Sequence, residues 1–191
     1  MEFINKKTIR ISKVINELDR FVLDFVKILE KHTKYVIVSG YVSILFGRAR
    51  ATEDVDIFIK DLNRDKFKKL YSDLMHNNYW CLNTSNVNEA YKYLLDGLAI
   101  RFGKEKKAVP NFKVKFVKNR IDRETLNDPL TVGMPVGKIR ISPIERQIAF
   151  KRYYLKSDKD VEDARHLEIL FKGKIDNKKI EKYKRLIESI K

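Results

Sequence analysis

Between Ser12 and Lys31, apolar residues recur at intervals of three and four: Val14, Ile15, Leu18, Phe21, Val22, Phe25, Ile28 and Leu29. That spacing predicts an amphipathic helix capped by Ser12. The pattern then changes. YVIV has no polar position and predicts a short buried strand ended by Gly40, YVSILFG predicts a short helix closed by Gly47, and DVDIFI predicts a second strand. After the turn KDLN, Arg64 to His76 keeps Phe67, Leu70, Tyr71 and Leu74 on one helical face. The polar stretch NTSNVNE, preceded by Tyr79 and Trp80 as packing aromatics, leads into another short helix ending at Gly97. LAIRF and FKVKFV read as a hairpin joined by the basic loop GKEKKAVPN, and VGKIRIS reads as a last short strand. From Pro143 helical spacing takes over, with breaks near Ser157 and Gly173 that divide it into three helices.

These elements describe an α+β protein. A small mixed β-sheet with helices packed on it occupies residues 1–142, and a helical C-terminal part, residues 143–191, packs on that core. At 191 residues the chain can bury most of its apolar side chains. No stretch approaches the roughly 18 to 20 apolar residues of a membrane span, and MEFINKKTIRIS lacks the pattern of a signal peptide, so the expectation is a cytoplasmic protein with no membrane partner. A single cysteine, Cys81, rules out an intrachain disulfide, and with three scattered histidines it leaves only carboxylates to hold a metal. Forty-one Lys and Arg against 26 Asp and Glu give a net charge of +15, which attracts phosphate in nucleotides or nucleic acid; a lysine-rich solvated surface gives the same excess.

Two aspartates interrupt the strand DVDIFI. In a strand, residues two apart point to the same side, so Asp54 and Asp56 project together with backbones about 6 to 7 Å apart. Two such carboxylates repel each other when ionised, and a divalent cation, Mg2+ or Mn2+, relieves the repulsion while completing its shell with water and phosphate oxygens. Upstream, the chain breaks at Ser39 and Gly40 into a short helix whose free backbone N–H groups offer an anion site, and Gly40 permits close approach. A metal end and an amide end together would hold a triphosphate.

The stretch VIVSGYVSILFGRARATEDVDIFI resembles the nucleotidyltransferase superfamily with a polymerase-beta-like fold. It is most similar to the minimal branch that includes AbiEii-type toxins, with Arg50, Thr52, Asp54 and Asp56 matching position by position. Ser39 stands where the first glycine is usual. SPIERQIAFKRYYLKSDKDVEDARHLEIL resembles the helical segment of the same branch, with Glu145, Lys151, Asp160 and Asp163 on its recurring positions. The resemblance implies a nucleotidyltransferase fold and metal-dependent transfer of a nucleoside monophosphate from a nucleoside triphosphate. Asp54 and Asp56 would be the metal ligands, and Ser39, Gly40, Arg50 and Thr52 would bind nucleotide. Lys151 would contact phosphate, and Asp160 would activate or position the acceptor.

The acceptor hydroxyl implied is that of RNA, such as a tRNA end, or of a protein. One departure stands out: the superfamily's third carboxylate, on a later strand, is replaced in FKVKFV by Lys113 or Lys115, with Lys115 taken as the replacement. Two other functions therefore stay open, a module that binds nucleotide or RNA without turnover and the toxin of a pair with an antitoxin protein.

Overall fold

The computed structural model describes residues 1–189. Its centre is one mixed, nine-stranded sheet. In chain order the strands are β1 (Glu2–Asn5), β2 (Thr8–Arg10), β3 (Tyr35–Val38), β4 (Asp54–Ile59), β5 (Tyr79–Cys81), β6 (Ile100–Lys104), β7 (Lys107–Phe116), β8 (Leu130–Met134) and β9 (Gly137–Ile141). Across the sheet they run β1-β2-β8-β9-β3-β4-β7-β6-β5. The helices are α1 (Glu17–His32), α2 (Gly40–Leu45), α3 (Arg64–His76), α4 (Val87–Leu95), α5 (Arg120–Asn127), α6 (Ile144–Phe150), α7 (Asp158–Leu170) and α8 (Asn177–Glu188). A π-helical turn, Lys151–Leu155, continues α6. No helix among the described residues is long and apolar enough to cross a membrane.

The two faces of the sheet are packed differently. On one face α1 lays Phe21 and Phe25 over Phe112 of β7, with ring centroids 4.2 and 3.8 Å apart and nearly parallel planes. Tyr79 closes that aromatic group edge-on against Phe25. On the other face a smaller cluster of Val36, Val38, Val117 and Leu126, with Phe58 against it, packs under α5. Where α5 stops covering the sheet, a cleft remains.

Several boundaries differ from the sequence expectation, each for a local reason. The first helix begins at Glu17 rather than near Ser12, because Asn16 and Asp19 form a reciprocal capping box there. Ser12 to Asn16 instead form an irregular link from β2, which pairs with β8, and Val14 is left 92% exposed. The basic loop after LAIRF is mostly strand: β6 and β7 run on to a tight turn at Glu105 and Lys106, both at positive φ. Strands β1, β2, β5 and β8 and helix α5 were not legible as separate elements, so the sheet is larger than expected. Trp80, expected to pack, is 38% exposed on the edge strand β5.

Asp19 does more than cap α1. It is fully buried, and its carboxylate accepts hydrogen bonds from the Asn16 backbone N–H (3.1 Å) and the Tyr41 hydroxyl (2.9 Å), with the Lys13 ammonium 2.8 Å away. This ties the start of α1 to α2. Removing Asp19 leaves the buried Tyr41 hydroxyl without its acceptor and the partly buried Lys13 ammonium without its carboxylate. Asp19→Ala is expected to destabilise the fold by about 3 kcal/mol, read as a lower urea midpoint with unchanged slope.

Candidate functional site

Side-chain alternation along β4 decides what the cleft is made of. Val55, Ile57 and Ile59 turn into the core, so Asp54, Asp56 and Phe58 turn to the face that α5 leaves partly open. On that face antiparallel β3 sets Val38 beside Asp56 and Val36 beside Phe58. Parallel β7 sets Asn111, Lys113 and Lys115 beside Asp54, Asp56 and Phe58. A cleft of about 590 Å3 opens over these rows. Ser39, Gly40, Arg50, Thr52, Asp54, Asp56, Lys151 and Asp160, all candidates from the sequence, border it.

Ser39 is a strained point. Its φ of 65° and ψ of −137° lie where glycine is at ease and side chains are not. The serine therefore costs on the order of 1 to 3 kcal/mol at this turn. Its side chain lies close enough to the Asp56 carboxylate to favour the ionised form. At Gly40 a Cβ would stand 2.9 Å from the Arg50 guanidinium, so the missing side chain is what lets Arg50 lie against the turn. Thr52 holds the loop before β4 by donating from its hydroxyl to the Asp54 carbonyl at 2.8 Å.

Burial, and next the neighbouring Asp54, push the Asp56 carboxyl above the usual carboxylate range. The Lys113 ammonium, 3.8 Å from Asp56 Oδ1, works against that rise, as do the Ser39 side chain and Lys115, without cancelling it. Two half-buried carboxylates on one strand face form a donor set that fits one hard divalent cation with open positions for water and phosphate oxygens. Among the described residues no cluster of three or more His, Cys, Asp and Glu side chains is placed to hold a metal.

A second charge cluster braces the opposite wall. The Lys151 side chain is 1% exposed, with its ammonium 2.8 Å from Asp163 Oδ2 and 3.3 Å from Asp160 Oδ1. Asp163 is fully buried and also accepts from Arg50 Nη1 at 2.6 Å, with Arg48 Nε 3.6 Å from its other oxygen. The sequence expectation for Lys151 is a phosphate contact; the structure commits its ammonium to two carboxylates. Asp160, bound also by the Ser157 hydroxyl, faces Lys151 rather than joining the Asp54–Asp56 pair. Asp163 is the hub, and through Arg50 it couples α7 to the loop that leads into β4.

Comparison with known proteins places this architecture. Residues 17–190 match a family described as a nucleotidyl transferase of unknown function (DUF2204). The chain belongs to that family. Among solved structures the DUF2204 chain is similar to an antigenic nucleotidyltransferase-like protein from Paracoccidioides brasiliensis, with a TM-score of 0.50 and 14% identity over 87% of this chain and 85% of that one. At that identity the likeness establishes the shared fold alone, an α+β nucleotidyltransferase-like fold. A protein of H. pylori provisionally described as a nucleotidyltransferase aligns with 93% of this chain and 99% of that one, at 12% identity and a TM-score of 0.35. No curated protein gives a significant match.

In this DUF2204 chain the register corrects one sequence expectation. Lys115 was assigned the place of the third carboxylate, but parallel pairing sets Lys113 beside Asp56 and moves Lys115 beside Phe58. Sequence reading also missed the far wall. Arg146 is buried, lies over the Phe58 and Phe150 rings, and pairs with Asp122 at 3.2 Å. Phe150 stacks on Tyr154 at 4.5 Å, and Tyr154 remains 45% exposed at the cleft. The spacing of four between those two rings was the available signal, and it reads equally well as ordinary helix packing.

Two outcomes follow for the DUF2204 fold. Ser39→Gly relieves the backbone strain and is expected to raise stability by about 1 kcal/mol, seen as a melting temperature about 2 to 4 °C higher. A raised carboxyl pKa means that the native state retains a proton which the unfolded chain has released, so stability falls as pH rises through that window. Asp56→Asn should therefore raise the melting temperature at pH 7, and the gain should fade as pH falls to about 4, the range of an unfolded aspartate. A gain that persisted unchanged at pH 3 would contradict the assignment of the effect to Asp56 ionisation.

Proposed function

We propose that this protein is a nucleotidyltransferase that takes a magnesium-bound nucleoside triphosphate and moves its nucleoside monophosphate to an acceptor hydroxyl. The observation that carries the reading is the placement of Asp54 and Asp56 on one face of β4, in one cleft with the Ser39–Gly40 turn and an excess of positive side chains. Arg50, Lys113, Lys115, Lys118, Arg146, Lys151 and Lys159 line that cleft against the carboxylates Asp54, Asp56, Asp122 and Asp160. Such a surplus suits a polyphosphate.

Asp54 and Asp56 would hold one Mg2+ or Mn2+ ion, which when bound neutralises charge on the triphosphate and polarises the phosphoryl group. The turn at Ser39 and Gly40 borders the cleft with the Arg50 guanidinium lying against Gly40, and Lys113 and Lys115 place positive charge along the β7 row beside it. Tyr154, stacked on Phe150, offers a flat wall for the nucleoside. The acceptor hydroxyl loses its proton to water as its oxygen attacks the alpha phosphorus, the bond to the beta-phosphate oxygen breaks, and pyrophosphate leaves. Catalysis comes from positioning and charge neutralisation. The net charge of +15 supports RNA, a tRNA end included, as the acceptor over a protein side chain. The match of Arg50, Thr52, Asp54 and Asp56 to AbiEii-type enzymes supports the same chemistry and, with it, control by an antitoxin protein.

A second reading, a module that binds nucleotide or RNA without turnover, is favoured by the lack of a third clustered carboxylate among the described residues. Incubation with α-labelled triphosphates, Mg2+ and total RNA or protein separates the two. Transfer of label with release of pyrophosphate is expected, lowered about a thousandfold or more by Asp54→Ala or Asp56→Ala. Transfer indifferent to both substitutions would remove the site assignment. Magnesium-independent triphosphate binding with no pyrophosphate would favour the second reading.

A further inference from the structure

We propose that Lys113 is a built-in cation standing where a second metal ion would otherwise be needed, so that the cleft works with one divalent ion and one lysine. The inference rests on the nucleotidyltransferase reading and goes beyond it by fixing the metal stoichiometry and giving Lys113 a role toward the triphosphate. In two-metal phosphoryl-transfer sites the ions stand about 3.5 to 4 Å apart and share carboxylates. Lys113 Nζ stands 3.8 Å from Asp56 Oδ1, so what adjoins Asp56 on this side is a fixed positive charge and not a carboxylate that could share a second ion.

The strand register aims the lysine at this face. Its neighbours in β7, Phe112 and Val114, are buried on the opposite face at 0% and 2% exposure, and the parallel ladder pairs Lys113 directly with Asp56. Side-chain alternation therefore points Lys113 into the cleft for the same reason that it points Asp56 there. The other acids bordering the cleft are already engaged: Asp122 with Arg146, and Asp160 with Lys151. A second divalent ion on this side of Asp56 would meet an ammonium and no spare carboxylate. A triphosphate would meet a positive charge that is present at any metal concentration.

The test counts ions. The full chain is titrated with Mn2+, and free Mn2+ is followed by electron paramagnetic resonance. One bound ion per chain is expected, lost in Asp54→Asn, and Lys113→Asp should bind two. The near-isosteric Lys113→Gln, checked for folding by circular dichroism, should bind Mn2+ about tenfold more tightly, because a like charge beside the ion has gone. The same variant should bind α,β-methylene-ATP about tenfold more weakly in saturating Mn2+, because a phosphate partner has gone. A merely structural lysine would not move the two affinities in opposite directions. Two ions on the unaltered chain, one ion on folded Lys113→Asp, or affinities in Lys113→Gln that move together or stay put would each overturn the role of Lys113 while leaving the nucleotidyltransferase reading in place. Mn2+ binding that is absent, or indifferent to Asp54→Asn, would overturn that underlying reading instead.

Discussion

The cleft depends on one constraint, the pairing of β4 between an antiparallel neighbour and a parallel one. Burying Val55, Ile57 and Ile59 is worth roughly 1.5 to 3 kcal/mol each, and a slip by one residue would drive the two aspartates into that core. Hydrophobic burial on one side thus fixes the carboxylates on the other, without any contact made for that purpose. The same alternation in β7 then delivers the lysines. Position in the cleft is inherited from packing beneath it.

Legibility in the sequence followed the same logic. β3, β4 and α3 were readable because their buried faces are dense and regular, and the strand carrying Asp54 and Asp56 was readable for its departure from that density. β1, β2 and β8 were not, since each is short and stabilised by partners distant in the chain rather than by its own pattern. The candidate residues Ser39, Gly40, Asp54 and Asp56 were suggested by spacing, and Arg50 and Thr52 by resemblance; the fold places all six around one cleft. Which lysine faces Asp56 could not be read, because strand register is a relation between two segments and neither segment records it. Asp163 shows the same gap: its block was recognised, but only the fold shows it buried between Lys151 and Arg50.

Two features of the cleft run against stability, and they adjoin. Ser39 adopts a backbone conformation that glycine would accept more easily, and Asp56 is held where ionisation is disfavoured, yet the side chain of the first favours the ionised form of the second. Strain concentrated at one place in an otherwise well-packed molecule is a common mark of a site kept for function. The surrounding core, with Asp19 binding α1 to α2, supplies the rigidity that keeps the turn in this geometry.

The buried carboxylate of Asp163 has a consequence for the order of assembly. It meets Arg50 across 113 positions of sequence, so the wall behind the DVDIFI strand cannot close until α7 has been made. A chain still emerging during synthesis could form β3, α2 and β4 but would leave Arg48 and Arg50 without the partner that holds their loop. The wall of the cleft is therefore complete only once α7 is in place, whatever the order in which the strands pair.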